Sequence, residues 1–215
     1  MTTRAELTAG EQLQMRQGAE RLKKRFEGQL NVESIERFLF DSLDQLLEQA
    51  RTTAWVPLLA ERFATDRIRA TIRLESGLTT LNPSVLFLCV HNAGRSQMAA
   101  GFMRALSGGA VDVFSGGSEP ADSVNRAAVE AMAEKGIDIG REIPQPWADE
   151  IIRAADVVVT MGCGDACPIF PGKRYVDWEL DDPAGKSVAE VQPIRDDLER
   201  RVRELMTELG VEAVR

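Results

Sequence analysis

Cysteine and histidine are scarce in this sequence: 215 residues carry three cysteines and one histidine. Three thiols cannot all pair within one chain, and in a reducing compartment they serve reactivity or metal binding rather than structure. No apolar run reaches the roughly 18 residues that a bilayer span needs. Basic runs are missing too, and the net charge is −8, so nucleic acid and anionic membrane surfaces would repel the body and are not expected as partners. After Met1-Thr2-Thr3-Arg4-Ala5 comes a charged amphipathic stretch, not an apolar core with a cleavage site. That is no secretory signal, and the expected location is cytoplasmic. Internal repeats and low-complexity segments are absent.

What is present is length for one sizeable domain and a small one. The first third reads as helices. One runs through about Gln12 to Phe26. A second carries Val32, Ile35, Phe38, Leu39, Leu43, Leu46 and Leu47 at steps of three and four, with Asn31 as its cap. A third begins near Pro57 and continues through Leu59, Phe63, Ile68 and Ile72. Its apolar positions cover more than half the circumference, so it needs a second partner, either the rest of the chain or another copy. A homodimer through these helices is the expectation.

Gly77-Leu78-Thr79-Thr80-Leu81-Asn82-Pro83 has the composition of a linker. Beyond it strand and helix alternate. Strands are expected at Val85 to Cys89, Val111 to Ser115, Asp156 to Thr160 and Arg174 to Val176. Helices are expected at Arg95 to Leu106, Asn125 to Lys135, Ala148 to Arg153 and Val188 to Leu209. The expected fold is therefore α/β, a parallel sheet flanked by helices over 83–215, preceded by a small all-α three-helix bundle over 1–76. Reactive groups in such sheets gather at the carboxyl ends of strands, and Cys89, Cys163, Cys167 and the Asp181-Asp182 pair all follow expected strands.

The apolar run Val85-Leu86-Phe87-Leu88-Cys89-Val90 leads straight into His91-Asn92-Ala93-Gly94-Arg95-Ser96. A thiol becomes a nucleophile when it ionises, and this stretch supplies what favours a thiolate: a following helix N-terminus, an arginine and a turn rich in backbone N–H groups. Five residues separate Cys89 from Arg95, enough for the amides of 90–96 to curl round a tetrahedral oxyanion. Gly94 permits the tight turn, Arg95 offers a bidentate fork, and Ser96 can donate to the sulfur. Asn92 either pins the loop by side-chain hydrogen bonds or is an ordinary turn asparagine. His91 reads as a surface or loop-packing residue, since thiolate chemistry needs no histidine base.

Two further groups stand out. Met161-Gly162-Cys163-Gly164-Asp165-Ala166-Cys167-Pro168 places two thiols in a glycine-bearing segment. That suits a disulfide relay, in which one thiol attacks an oxidised or adducted Cys89 and the other carries the disulfide outward. The rival is a zinc site of Cys89, His91, Cys163 and Cys167, against which stand the spacing and the charge of Arg95; no metal is expected. Trp178-Glu179-Leu180-Asp181-Asp182-Pro183-Ala184-Gly185-Lys186 carries a carboxyl pair, either an acidic surface turn or a source of the proton that a departing oxygen needs.

Cys89-Val90-His91-Asn92-Ala93-Gly94-Arg95-Ser96-Gln97-Met98-Ala99 resembles the phosphate-binding loop of the low-molecular-weight protein tyrosine phosphatase superfamily. With the later motifs, the stretch from about Pro83 to Leu209 is similar to that superfamily's thiol-linked arsenate reductases. The resemblance implies Cys89 as nucleophile, Val90 to Ser96 as oxyanion cradle, Asp182 as acid, Cys163 as resolving thiol and Cys167 as the next. It also implies arsenate as substrate and an external thiol reductant, thioredoxin or a low-molecular-weight thiol, with no bound cofactor. Phosphatases of this fold carry an aromatic residue soon after the Asp-Pro pair, whereas Ala184 and Gly185 follow here, which favours a small inorganic oxyanion. Two alternatives stay open: a phosphatase for tyrosyl or small phosphate esters, and a non-catalytic module that senses arsenic or redox state.

Overall fold

The computed structural model describes residues 3–50, 52–76, 82–162 and 169–214. The chain divides into two compact units, Met1–Gly77 and Leu78–Arg215.

Three helices make up the first unit. In α1 (Ala9–Arg25) the Glu11 amide donates to the Thr8 hydroxyl at 3.3 Å, and the Thr8 amide donates back to the Glu11 carboxylate at 2.7 Å. This reciprocal cap starts the helix earlier than the expected Gln12. α2 (Val32–Gln49) begins at the expected cap, Asn31, whose side chain accepts from the Ser34 amide at 2.7 Å. Its stripe of Ile35, Leu39, Leu43 and Leu47 is buried against Met15, Ala19 and Leu22 of α1 and Ala60, Ala64 and Ile68 of α3 (Val56–Ser76). Pro57 occupies the first turn of α3, where a missing N–H costs nothing. Unforeseen is Arg67, buried with its guanidinium over the rings of Phe38 (5.2 Å) and Phe63 (5.4 Å) and donating to the Ser42 hydroxyl at 3.1 Å. The two ring faces and the hydroxyl offset the cost of burying a charge inside a small bundle.

The second unit is a parallel four-stranded sheet in the order β2-β1-β3-β4, built from β1 (Ser84–Cys89), β2 (Asp112–Gly117), β3 (Val157–Met161) and β4 (Arg174–Asp177). β1 is central and buried at every residue, as its unbroken apolar run requires. Val85, Phe87 and Cys89 pack into the core formed with α4 (Arg95–Ser107), α5 (Arg126–Ala133) and α7 (Val188–Glu208). Alternation leaves the opposite face to Leu86 and Leu88, also fully buried, and α6 (Asp149–Ala154) lies against β1.

β2 and β3 both run past their expected ends. Ladder pairing with β1 continues until Gly117 and Met161 stand level with Cys89, and it overrides the poor strand propensity of Gly116 and Gly117. Asn125 caps α5 from outside instead of starting it. No described helix is long and apolar enough to cross a membrane.

Candidate active site

Cys89 ends β1 and is 3% exposed. The chain folds back over the sheet edge directly after it, and the glycine beside it makes room: a Cβ on Gly117 would lie 2.6 Å from the Val90 carbonyl oxygen and 2.9 Å from the Asn92 nitrogen. Three outer amides hold the loop's carbonyls. Glu119 N–H donates to Val90 O at 2.9 Å, Ala121 N–H to His91 O at 3.0 Å, and Asn125 N–H to Ala93 O at 2.8 Å. Each trans peptide points its N–H opposite to its C=O, so with these oxygens held by outer amides the N–H groups of His91, Asn92 and Gly94 are directed away from those amides. Amides and helix N-terminus together make an anion cradle.

Asn92 holds this shape. It is fully buried and, among the described residues, the one non-glycine with positive φ (46°), a conformation asparagine tolerates better than most residues. Its Oδ1 accepts from the Gln145 amide and from Gln97 Nε2, both at 3.0 Å. A backbone N–H can only donate, so the side-chain amide has one orientation, and Nδ2 donates to Ser96 Oγ at 2.9 Å. Having accepted there, the Ser96 hydroxyl keeps its proton for Cys89 Sγ, 3.0 Å away.

Arg95 opens α4, and its side chain is 9% exposed. Nη2 donates to Asp182 Oδ2 at 2.9 Å and Nη1 reaches the Leu180 carbonyl at 3.4 Å. The loop that brings Asp182 here is anchored at its root by Trp178, whose N–H donates to Thr160 O at 2.8 Å and whose ring lies 5.8 Å from that of Phe87. Farther along, Pro183 sits on Gly94 so closely that a Cβ on the glycine would fall 2.4 Å from Pro183 Cγ. Asp182 Oδ1 accepts from the Ala184 amide at 2.9 Å. Asp181 takes no part: it is exposed and paired with Lys186 at 3.0 Å.

These groups enclose a cavity of about 50 Å³, with Cys89, Arg95, Asn125 and Asp182 in its walls. Sites for organic ligands usually measure about 300–1,000 Å³. This one suits a small anion.

Residues 84–215 match the family described as low molecular weight phosphotyrosine protein phosphatase. The chain belongs to that family. Residues 15–72 match a second description, protein-tyrosine-phosphatase-like, N-terminal domain. Within the phosphatase family the chain is similar to the thioredoxin-dependent arsenate reductase of Corynebacterium glutamicum, with 39% identity, 91% of this chain and 96% of that one covered, and a TM-score of 0.78. It is 40% identical to arsenate reductase 2 of Staphylococcus epidermidis over 128 residues, which are 58% of this chain and 96% of that protein. A structure of an arsenate reductase in its phosphate-binding state shares 33% identity over 59% of this chain and 98% of its own, with a TM-score of 0.54.

Of the other residues singled out from the sequence, His91 lies at the exposed rim of this phosphatase-family cradle, its Nδ1 3.0 Å from the Glu119 carbonyl oxygen. That oxygen can only accept, so Nδ1 carries a proton and the ring serves to hold the loop. Cys163 and Cys167 lie outside the described residues, and with them half of the zinc alternative. Gly162, at the threshold of that segment, has φ of +70°, and a Cβ there would stand 3.0 Å from Arg95 Nη1. The backbone therefore enters the two-cysteine segment beside the arginine. Sequence reasoning passed over Gln97, Gly117 and Gln145, and noted Asn125 only as a helix start. Gly117, Gln145 and Asn125 act through partners distant in sequence and Gln97 through Asn92 five positions back, and only the glycine's position next to a strand end hinted at close backbone approach.

Proposed function

We propose that this chain reduces arsenate to arsenite and draws its electrons from a dithiol protein of the thioredoxin type. One observation carries the reading: a thiol with its own hydroxyl donor, loop amides, a guanidinium and a carboxyl meet in one cavity of about 50 Å³. Arsenate enters the cradle and takes the Arg95 fork from Asp182. The Cys89 thiolate attacks arsenic; a sulfur–arsenic bond forms as the bond from arsenic to one of its hydroxyl groups breaks, and Asp182 passes a proton to that hydroxyl, which leaves as water. Cys163 then attacks the Cys89 sulfur. The electron pair of the sulfur–arsenic bond stays on arsenic, reducing it from As(V) to As(III), and arsenite leaves behind a Cys89–Cys163 disulfide. Cys167 takes over that disulfide and releases Cys89, and the external dithiol reduces the final pair.

The names of the similar proteins support the substrate and the reductant. Ala184 and Gly185 after Pro183 offer no wall for an aryl ring, which weighs against phosphotyrosyl peptides. A sensor of neutral arsenite would need the thiols but neither anion cradle nor proton donor.

The test is arsenite formation by the purified protein with thioredoxin, thioredoxin reductase and NADPH, in parallel with a low-molecular-weight thiol system. Activity in the first arm and its loss in Cys89→Ser are expected. No arsenite in either arm would end the reading, and substantial turnover by Cys89→Ser would remove Cys89 as nucleophile. Every residue given a chemical role follows Pro83, so the bundle is assigned to self-association rather than chemistry.

A further inference from the structure

We infer that Asn125 is a positioning residue that latches the Asp182 loop over the cradle, an inference that rests on the role of Asp182 proposed above. Three bonds meet at Asn125. Its backbone N–H donates to the Ala93 carbonyl at 2.8 Å, and its Oδ1 accepts from the Ala128 amide at 2.9 Å, capping α5. Nδ2 donates to the Pro183 carbonyl at 3.3 Å, an oxygen it shares with the Lys186 amide at 3.2 Å. Both side-chain partners have fixed polarity, since the Ala128 amide can only donate and the Pro183 carbonyl can only accept. The amide therefore has one orientation, with its cap toward α5 and its donor toward the loop.

Residue chemistry separates these two duties. Ser, Thr, Asp and Asn all cap a helix well. Of these, asparagine alone offers an N–H₂ group beside its capping oxygen. The latch matters because an oxyanion that takes the Arg95 fork competes with Asp182 for the same guanidinium face. Arg95 grips Asp182 directly. Once an oxyanion has taken the guanidinium, Asp182 loses that hold at the moment it has to deliver a proton. The bond from Asn125 to the adjacent Pro183 does not use the Arg95 guanidinium, so it persists when an anion takes that group, and Pro183 stays seated on Gly94. Positioning of this kind acts on the chemical step.

Two variants of the full chain test it. Asn125→Asp keeps the capping oxygen and puts a second oxygen against the Pro183 carbonyl; Asn125→Ser keeps a neutral cap too short to reach the loop. Both should slow single-turnover arsenate consumption by about three- to tenfold, the weight of one hydrogen bond. Because Asn125 lines the cavity, the rates are read at saturating arsenate, and Asn125→Asp, which adds a negative charge to the wall, should also weaken inorganic phosphate binding. In an Asp182→Asn background either substitution should cost nothing further, because the latch acts through Asp182. Unchanged rates in both variants would overturn the inference, as would a loss confined to Asn125→Asp, which is a charge effect, or a loss that persists in full without Asp182, which is a structural one. A wild-type chain that does not consume arsenate would remove the proposed function itself, whereas an active wild type with unchanged variants would remove only the latch.

Discussion

Asn92→Ala is the substitution whose cost the structure defines best. It removes three side-chain hydrogen bonds, to Ser96, Gln97 and the Gln145 amide. Gln97 retains a long contact with the Ile143 carbonyl at 3.4 Å, so the acceptor lost is chiefly that of the half-buried Gln145 N–H. Losing the acceptor of such a donor costs about 1–3 kcal/mol. Holding alanine at φ 46° adds about 1 kcal/mol, since its Cβ crowds the following carbonyl there. The α/β unit should thus lose about 2–4 kcal/mol, a large part of the roughly 5–15 kcal/mol typical of a domain. Asn92→Gly separates the two contributions: it loses the same hydrogen bonds but adopts positive φ freely, so it should be about 1 kcal/mol more stable than the alanine variant. Urea unfolding followed by circular dichroism measures both differences, and arsenate turnover should rank wild type above Gly and Gly above Ala. If Ala and Gly variants unfold at the same urea concentration, the loop stores no backbone strain. Should both match wild type, the network around Asn92 carries no weight and the account of the cradle is wrong.

Cys163→Ser and Cys167→Ser should each stop arsenate turnover while sparing residual hydrolysis of an aryl phosphate, which needs no electrons; equal loss of both activities would assign the pair a structural or metal-binding role. Acid stability should depend on Glu134, whose carboxyl is held below its ordinary range first by the hydrogen bond from Arg195 and then by Gln192. A lowered carboxyl stabilises the fold fully above its unfolded value, about 4.3, and less as pH falls through the depressed folded value. Thermal midpoints of wild type and Glu134→Gln should therefore differ at neutral pH and converge below about pH 4, and a gap constant from pH 7 to 3 would contradict the pairing. A chain beginning at Thr80 should remain folded and reduce arsenate while losing self-association, as judged by light scattering; a folded but inactive product would show that the bundle shapes the site or recruits the reductant.

Local signals were legible in the sequence because their physics is local. Asn31 caps the amide of Ser34, three residues away, and Pro57 suits a first turn whatever lies around it. The run from Val85 to Cys89 reads as a buried strand, and the residues that follow it as an anion loop, because backbone amides and a helix start within a dozen residues suffice to bind an oxyanion. Strand ends were less legible, since Gly116 and Gly117 belong to β2 only through pairing with Leu88 and Cys89.

Tertiary structure decided how distant groups meet the loop, including Asp182, which the sequence had singled out only through the family resemblance. Asp182 meets Arg95 across 87 positions, Gln145 meets Asn92 across 53 and Pro183 meets Asn125 across 58. Of the two adjacent aspartates, the sequence offers no steric reason to prefer one, whereas the fold turns Asp182 to the arginine and Asp181 to Lys186. Arg67 is likewise an ordinary helix residue until Phe38, Phe63 and Ser42 surround it. The reason is the same in each case. A hydrogen bond or ring contact acts over a few ångströms in space, and only packing of the sheet and its helices determines which residues, far apart along the chain, come within that reach.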